Sequence, residues 1–265
     1  MSQKVDKTKQ ESLSFFQDKI QGLQLIISSM LKTQHENNVL TKGPEYLLMH
    51  LDWTDAIFVE SAELIDSTAY KWWKKQDLDL ENCKTELVDI WHFLMSMFIN
   101  RMTNNIEHVD SAISRITMGN ANLFGAIHQS EETLVKMFDG HEITGQEIRY
   151  HIKKLTKRVL NNEEPQVIIL AFIDAMTSMH LSLNELYTRY MIKNALNRLR
   201  QLNGYTDGTY RKQWISPISK FPVEDNVAAL GLIMGKQFNS VDEVVVILQN
   251  YYNDPASVVS DQIAH

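Results

Sequence analysis

Cysteine, proline and glycine are all scarce in this chain of 265 residues, and each scarcity excludes something. The one cysteine, Cys83, has no partner for an internal disulfide, so the chain is not a disulfide-stapled scaffold and suits a reducing compartment. Ten glycines and five prolines are too few for the many tight turns of an all-β fold and point to few turns and long helices. Long apolar runs are also missing. The longest, Val167 to Phe172, is core-sized and falls well short of the roughly 18 to 20 residues a membrane span requires. The first residues, Met1 to Lys7, lack the apolar stretch of a secretory signal. Positive charge is not in excess. A net charge of −7 argues against a nucleic-acid binder that works by counterion release. It leaves open a phosphate substrate, because divalent cations bridge acidic residues to phosphates. The expectation is a cytoplasmic protein with neither a membrane nor a nucleic-acid partner.

What is present is helical periodicity along a globular composition of 44% apolar and 22% charged residues, enough apolar content to exclude a disordered chain. Phe16, Ile20, Leu23, Ile27 and Leu31 mark one amphipathic helix from Leu13 to Leu31, with a break at Thr41 to Pro44. A second helix is predicted from Tyr46 to about Trp73. A third, from about Glu81 to Met102, should fold back antiparallel on it across a short polar link. Helical stretches follow at Ser111–Phe124, Glu131–Met137 and Gly145–Leu160, then a stop at Asn161–Pro165 and a helix over Gln166–Met179. Ser182 and Glu185 have capping-box spacing ahead of a helix over Leu183–Leu202, which Asn203-Gly204 should end. A loop from Tyr205 to Asn226 and helices over Val227–Phe238 and Val241–Tyr252 complete the chain. With no repeat and no clear linker, residues 1–265 read as one large all-α domain.

The chemistry concentrates between Glu60 and Asp89. Glu60-Ser61-Ala62-Glu63 and Glu86-Leu87-Val88-Asp89 each place two carboxylates three residues apart, on one helix face and one turn apart. If the two helices form a hairpin, all four side chains can meet. Four gathered carboxylates repel unless cations sit among them. A purely oxygen donor set suits Mg²⁺ or Mn²⁺, and no His or Cys joins the set to suggest zinc. A single pair at this spacing is commonly a solvated stripe. Two pairs on consecutive helices, flanked by Val59, Leu64, Ile65, Leu87, Val88, Ile90 and Trp91, favour a metal site.

A second signal is Lys193, Asn197 and Arg200, which fall at i, i+4 and i+7 on one helix stripe. Phosphate oxygens need such cationic and amide donors. Gly204 and Gly208 would let the following loop fold over a ligand, although a solvated helix face followed by a loop is the plainer alternative. The basic run Lys153, Lys154, Lys157 and Arg158 is assigned to solvent, Tyr70-Lys71-Trp72-Trp73 to either core or a base cover, and His92 to packing beside the second acidic pair.

Taken together these blocks resemble the dimeric all-α dUTPases. Glu60 to Ser67 with Lys71-Trp72-Trp73-Lys74 is similar to that family's first metal motif, and Glu86 to Phe93 to its second. Lys193-Asn194, Asn197, Arg200-Gln201, Asn203-Gly204-Tyr205, Asp207 to Tyr210, Lys212 and Glu224-Asp225-Asn226 resemble its phosphate-binding region. The acidic motif alone is shared with MazG-like pyrophosphohydrolases and dCTPases. The resemblance implies an all-α bundle of the NTP pyrophosphohydrolase type, with a metal-binding hairpin at 46–102, a less defined helical segment at 103–165 and a phosphate-binding helix and loop at 183–226. It implies a homodimer that hydrolyses dUTP, with dUDP as an open second substrate, to dUMP and pyrophosphate. Glu60, Glu63, Glu86 and Asp89 would hold Mg²⁺, or Mn²⁺ in its place, and Glu63 would orient or deprotonate the attacking water. Lys193, Asn197, Arg200, Tyr205 and Lys212 would bind phosphates, Tyr210 would belong to the substrate site, and Trp72 and Phe93 would line the uracil pocket. The family reads the base edge with a Gln and an Asn four residues on in the first helix. Gln24 takes the first position, and Ser28 stands where the Asn is expected, which leaves the base identity open. The stretch Ile215 to Val223 is longer than the resemblance leads one to expect. A related enzyme acting on dCTP or several nucleotides, and a catalytically silent helical interaction protein, remain as alternatives.

Overall fold

In the computed structural model, residues 2–128, 142–254 and 256 are described, so the stretch Glu131–Met137 lies outside the described residues. Helix α1 runs over Ser2–Lys42 and is followed by a 3-10 turn at Pro44–Leu48. Then come α2 (Trp53–Asp66), α3 (Leu80–Met102), a 3-10 turn at Ile106–His108, α4 (Val109–His128), α5 (Gly145–Leu160), α6 (Pro165–Ser178) and α7 (Leu183–Leu202). A two-stranded ribbon, β1 (Gln213–Ile215) and β2 (Pro222–Glu224), precedes α8 (Asp225–Ile233) and α9 (Val241–Asn253). The chain divides into two compact units, one of residues 1–35 and 44–182, the other of residues 36–43 and 183–265. Among the described residues no single helix is long and apolar enough to cross a membrane.

The helix predicted from Tyr46 to Trp73 is shorter at both ends, for local reasons. Asp52 caps α2 by accepting from the Asp55 N–H at 3.1 Å and from the Thr54 hydroxyl at 2.6 Å, which starts a new helix at Trp53. At the other end Ala69 adopts φ 55°, a left-handed conformation incompatible with continued α-helix. Tyr70 to Trp73 therefore belong to the connection and not to the helix.

Asp79 caps α3 through the Asn82 N–H at 3.0 Å. The end of α2 touches the start of α3: the Asp79 N–H donates to the Ser67 carbonyl at 2.9 Å, and the Asn82 amide donates to the Ser67 hydroxyl at 2.8 Å. The start of α2 meets a later turn of α3, where the Trp53 and Phe93 rings lie 6.3 Å apart. Those contacts make α2 and α3 an antiparallel hairpin, as the polar link predicts.

Helix α5 fixes the α2–α3 connection. The Arg149 guanidinium donates to the Thr68 carbonyl at 2.8 Å and to its hydroxyl at 3.1 Å. A Cβ on Gly145 would come 2.1 Å from the same carbonyl, so the α5 start approaches this turn closely enough to require glycine. Beneath the hairpin, Trp91 stacks on Phe172 of α6 at 4.8 Å and its indole N–H points at the Met30 sulfur at 3.4 Å.

In the second unit α7 ends at Leu202, after which Gly204 turns the chain at φ 84° and the Tyr205 N–H closes on the Arg200 carbonyl at 3.0 Å. The ribbon pairs Gln213 with Glu224, Trp214 with Val223 and Ile215 with Pro222. Trp214 is fully buried and its indole donates to the Arg211 carbonyl at 3.0 Å. Asn203 and Gln249 exchange amide hydrogen bonds at 2.9 and 3.1 Å, joining α7 to α9.

Cys83 is fully buried against the hairpin, with its thiol 3.8 Å from the Leu64 carbonyl. Burial pushes its pKa up to about 12. The thiol should therefore stay protonated and inert to an aromatic disulfide reagent at pH 8, reacting at the global unfolding rate. Rapid stoichiometric labelling of the native protein would show that this face of the hairpin is open.

Candidate functional site

Glu60 and Glu63 stand one turn apart on α2, and Glu86 stands on the facing helix α3. One carboxylate oxygen from each of these three lies within 4.8 Å of the other two. Glu60 and Glu86 are half-buried and Glu63 is exposed, so the group has an apolar floor and a side open to solvent. Asp89, one turn further along α3, is half-buried and outside the 4.8 Å group.

At 4.8 Å two carboxylates repel by roughly 1 kcal/mol at the dielectric of water and more in a partly buried setting. The hairpin holds the three side chains at that distance because Leu64, Leu87, Val88 and Ile90 beside them are buried. The flanking apolar residues are not uniformly buried. Val88, Ile90 and Trp91 are buried on α3, whereas Val59 is half exposed at 50% on α2.

The donor set fits a hard divalent cation. It is all oxygen, and the neighbouring thiol of Cys83 is buried and held protonated, which leaves no soft ligand for zinc. His92 is tied elsewhere: its Nδ1 lies 2.7 Å from the Gln34 Oε1, and the Gln34 amide donates to the Ser96 hydroxyl at 3.1 Å.

The aromatic residues are separated by their contacts. Trp72 is 90% exposed and packs edge-on against Trp73 at 5.5 Å, while half-buried Phe93 lies against Trp53. Gln24 lines a cleft of about 570 Å³ with Ser28 and Lys32 of α1 and with Asp110, Ser114 and Thr117 of α4.

A later stretch of α1 has the amide spacing that Gln24 and Ser28 lack. Gln34 and Asn38 are four residues apart, and with Thr33 and Asn37 they form a buried polar run at 4 to 9% exposure. Asn37 keeps a buried side-chain oxygen with no hydrogen-bond partner. Buried polar side chains need a network, and Gln34 supplies one by bonding to His92 and Ser96 of α3. Four consecutive turns of apolar periodicity interrupted by Thr-Gln and Asn-Asn is the signal in the sequence that points to it.

On α7, Lys193, Asn197 and Arg200 are half-buried and share one stripe. Arg200 donates from Nε and Nη2 to the two oxygens of Asp225, at 2.8 and 2.7 Å, and from Nη1 to Asn197 Oδ1 at 3.4 Å. The Asp225 ion pair more than offsets burial and raises the Arg200 pKa. Tyr205 receives two cations on its ring, with the Arg200 guanidinium 5.6 Å and the Lys212 ammonium 5.4 Å from the centroid. Arg200, Tyr205 and Lys212 are thus brought together. Tyr210 is buried, stacked on Tyr252 at 5.2 Å, and donates its hydroxyl to Asp225 at 2.8 Å. Burial moves its phenol pKa well up, so it stays a donor. Arg198, on the adjacent face, pairs with Glu36 and Asp242.

Comparison with known proteins bears on this arrangement directly. A family model described as dUTPase matches residues 18–205, well over half of the chain, including both acidic motifs and all of α7. No curated protein sequence matches the chain. An all-helical fold with a carboxylate hairpin, matched by that model over most of its length, places the chain in the all-α dUTPase family, hydrolases that act on a phosphoanhydride bond of dUTP.

Proposed function

We propose that this protein converts dUTP to dUMP and pyrophosphate with Mg²⁺, as a cytoplasmic homodimer. The single observation that carries the metal part is the group of Glu60, Glu63 and Glu86 oxygens within 4.8 Å of one another. Asp89, one turn beyond Glu86, completes the ligand set on a change of side-chain rotamer. Bound there, divalent ions would neutralise phosphate charge and acidify a coordinated water. Glu63 is the exposed member of the group and is assigned to orienting that water and accepting its proton.

Lys193, Asn197, Arg200, Tyr205 and Lys212 are assigned to the phosphates. The placement of the Arg200 and Lys212 cations over one tyrosine ring supports this, since it gathers two phosphate-binding donors in one place. Tyr210 contributes through its hydrogen bond to Asp225. Phe93 and Trp72 are assigned to the base, Trp72 by its exposed ring, free to cover a ligand.

For reading the base edge, Gln34 and Asn38 fit the spacing better than Gln24 and Ser28. An amide offers both a donor and an acceptor, which is what the uracil edge requires. The Gln34 amide is also oriented by His92 and Ser96, on the helix that carries Glu86, Asp89 and Phe93.

Two outcomes test this reading. Glu63→Ala should lower Mg²⁺-dependent turnover by roughly 10²- to 10⁴-fold while leaving the circular dichroism spectrum intact. Full activity in that variant would remove Glu63 from the chemistry. A panel of dUTP, dUDP, dTTP, dCTP and UTP, with product identification, should show pyrophosphate released from dUTP in preference to the rest. Preference for dCTP, or equal rates on several nucleotides, would overturn the assignment of substrate.

A further inference from the structure

We infer that Asp225 is a positioning residue of the phosphate site, its carboxylate fixing the guanidinium of Arg200. The inference rests on the reading of Arg200 and Lys212 as phosphate ligands. Asp225 lies beyond the residues that the family model covers.

Asp225 is fully buried, and four donors saturate its carboxylate. Oδ1 accepts from Arg200 Nη2 at 2.7 Å and from the Asn226 N–H at 2.9 Å. Oδ2 accepts from Arg200 Nε at 2.8 Å and from the Tyr210 hydroxyl at 2.8 Å. The Asp225 N–H in turn donates to the Lys212 carbonyl at 2.8 Å, just ahead of the first pair of the ribbon, Gln213 with Glu224. One residue therefore touches α7, the loop at Tyr210 and the backbone of Lys212.

The consequence for Arg200 follows from the fork geometry of guanidinium. Asp225 takes the Nε/Nη2 edge in a bidentate pair, which fixes the plane of the group. The Nη1 edge is left beside Asn197, its neighbour on the stripe. An arginine held this way has lost its rotamer freedom before any ligand arrives, so binding does not carry that entropy cost again. The Arg200–Asp225 pair is also close to neutral as a unit. Arg200 would thus select an oxyanion by directed N–H bonds, while Lys212 supplies net positive charge. Tyr205, with a cation of each residue on its ring, sets their separation.

A purely structural Asp225 would give the same hydrogen bonds, and a double-mutant cycle separates the two roles. Binding of inorganic pyrophosphate with Mg²⁺ is measured by calorimetry, and dUTP hydrolysis by steady-state kinetics, for wild type, D225N, R200Q and R200Q/D225N. Circular dichroism checks the fold of each. D225N should weaken pyrophosphate binding by roughly ten- to a hundredfold, and raise KM for dUTP more than it lowers kcat. In the R200Q background the same change should matter by less than about twofold, because its route runs through Arg200. Y210F removes one of the four donors and should shift binding in the same direction by less. If D225N does not fold, Y210F and R200Q/Y210F complete the same cycle. An equal loss in both backgrounds, or a folded D225N with unchanged binding and KM, overturns the inference. If wild type binds pyrophosphate through Arg200 but hydrolyses no nucleotide, the proposed function fails and the positioning role stands. If wild type hydrolyses dUTP and all variants match it, the function stands and the positioning role fails.

Discussion

Like charges held close together by apolar packing are the constraint on which the first unit is organised. Each carboxylate pair among Glu60, Glu63 and Glu86 costs roughly 1 kcal/mol at 4.8 Å in water. Each fully buried leucine beside them, such as Leu64 or Leu87, contributes roughly 1.5 to 3 kcal/mol. Packing therefore wins, and the acidic group persists as part of the fold without having to be folded by an ion. A divalent cation would relieve the repulsion that packing tolerates, which is why the arrangement favours binding. The same logic explains the effort spent on the α2–α3 connection. Asp52 and Asp79 cap the two helices, Ser67 ties their ends, and Arg149 clamps the turn through Thr68.

On the proposed reading the second unit meets a different demand, that of presenting cations to an anion. Lysine and arginine side chains lose several rotamers on binding, and the loop after Gly204 would add its own freedom. A buried carboxylate and a tyrosine ring limit both. Asp225 holds Arg200 and Tyr210, and Tyr205 carries Arg200 and Lys212. Trp214 and Tyr252 pack beneath this loop, and the Arg211 N–H donates to the Tyr252 hydroxyl at 3.1 Å.

Much of the fold was legible because helical periodicity is a repeated signal. The bounds of α5 are those predicted, Gly145–Leu160, and α7 spans Leu183–Leu202 as the capping and glycine signals indicate. The errors arose where single residues decide. Asp52 and Ala69 cut the second helix at both ends, and neither interrupts its apolar pattern. The ribbon at Gln213–Ile215 and Pro222–Glu224 falls inside the predicted loop, since three-residue strands carry too little alternation to register. In the site, the acidic spacing within Glu60 to Asp89 was visible in the sequence and three of its four members meet. In the sequence Asp225 stands out only as part of a motif. Its role depends on a bidentate partner 25 positions away, which no local pattern encodes. In α1 a Gln with an Asn four residues on occurs at Gln34 and Asn38, whereas Gln24 is followed by Ser28, and the burial of Gln34 and Asn38 is a tertiary property that no local pattern encodes.

The central claim is that the facing turns of α2 and α3 form a divalent-cation site, and anomalous diffraction from crystals soaked in Mn²⁺ tests it most directly. The account predicts an anomalous peak within coordination distance of carboxylate oxygens from Glu60, Glu63 and Glu86, lost in a Glu86→Gln crystal treated identically. Crystals with no peak there, and those three side chains turned apart into solvent, would contradict it.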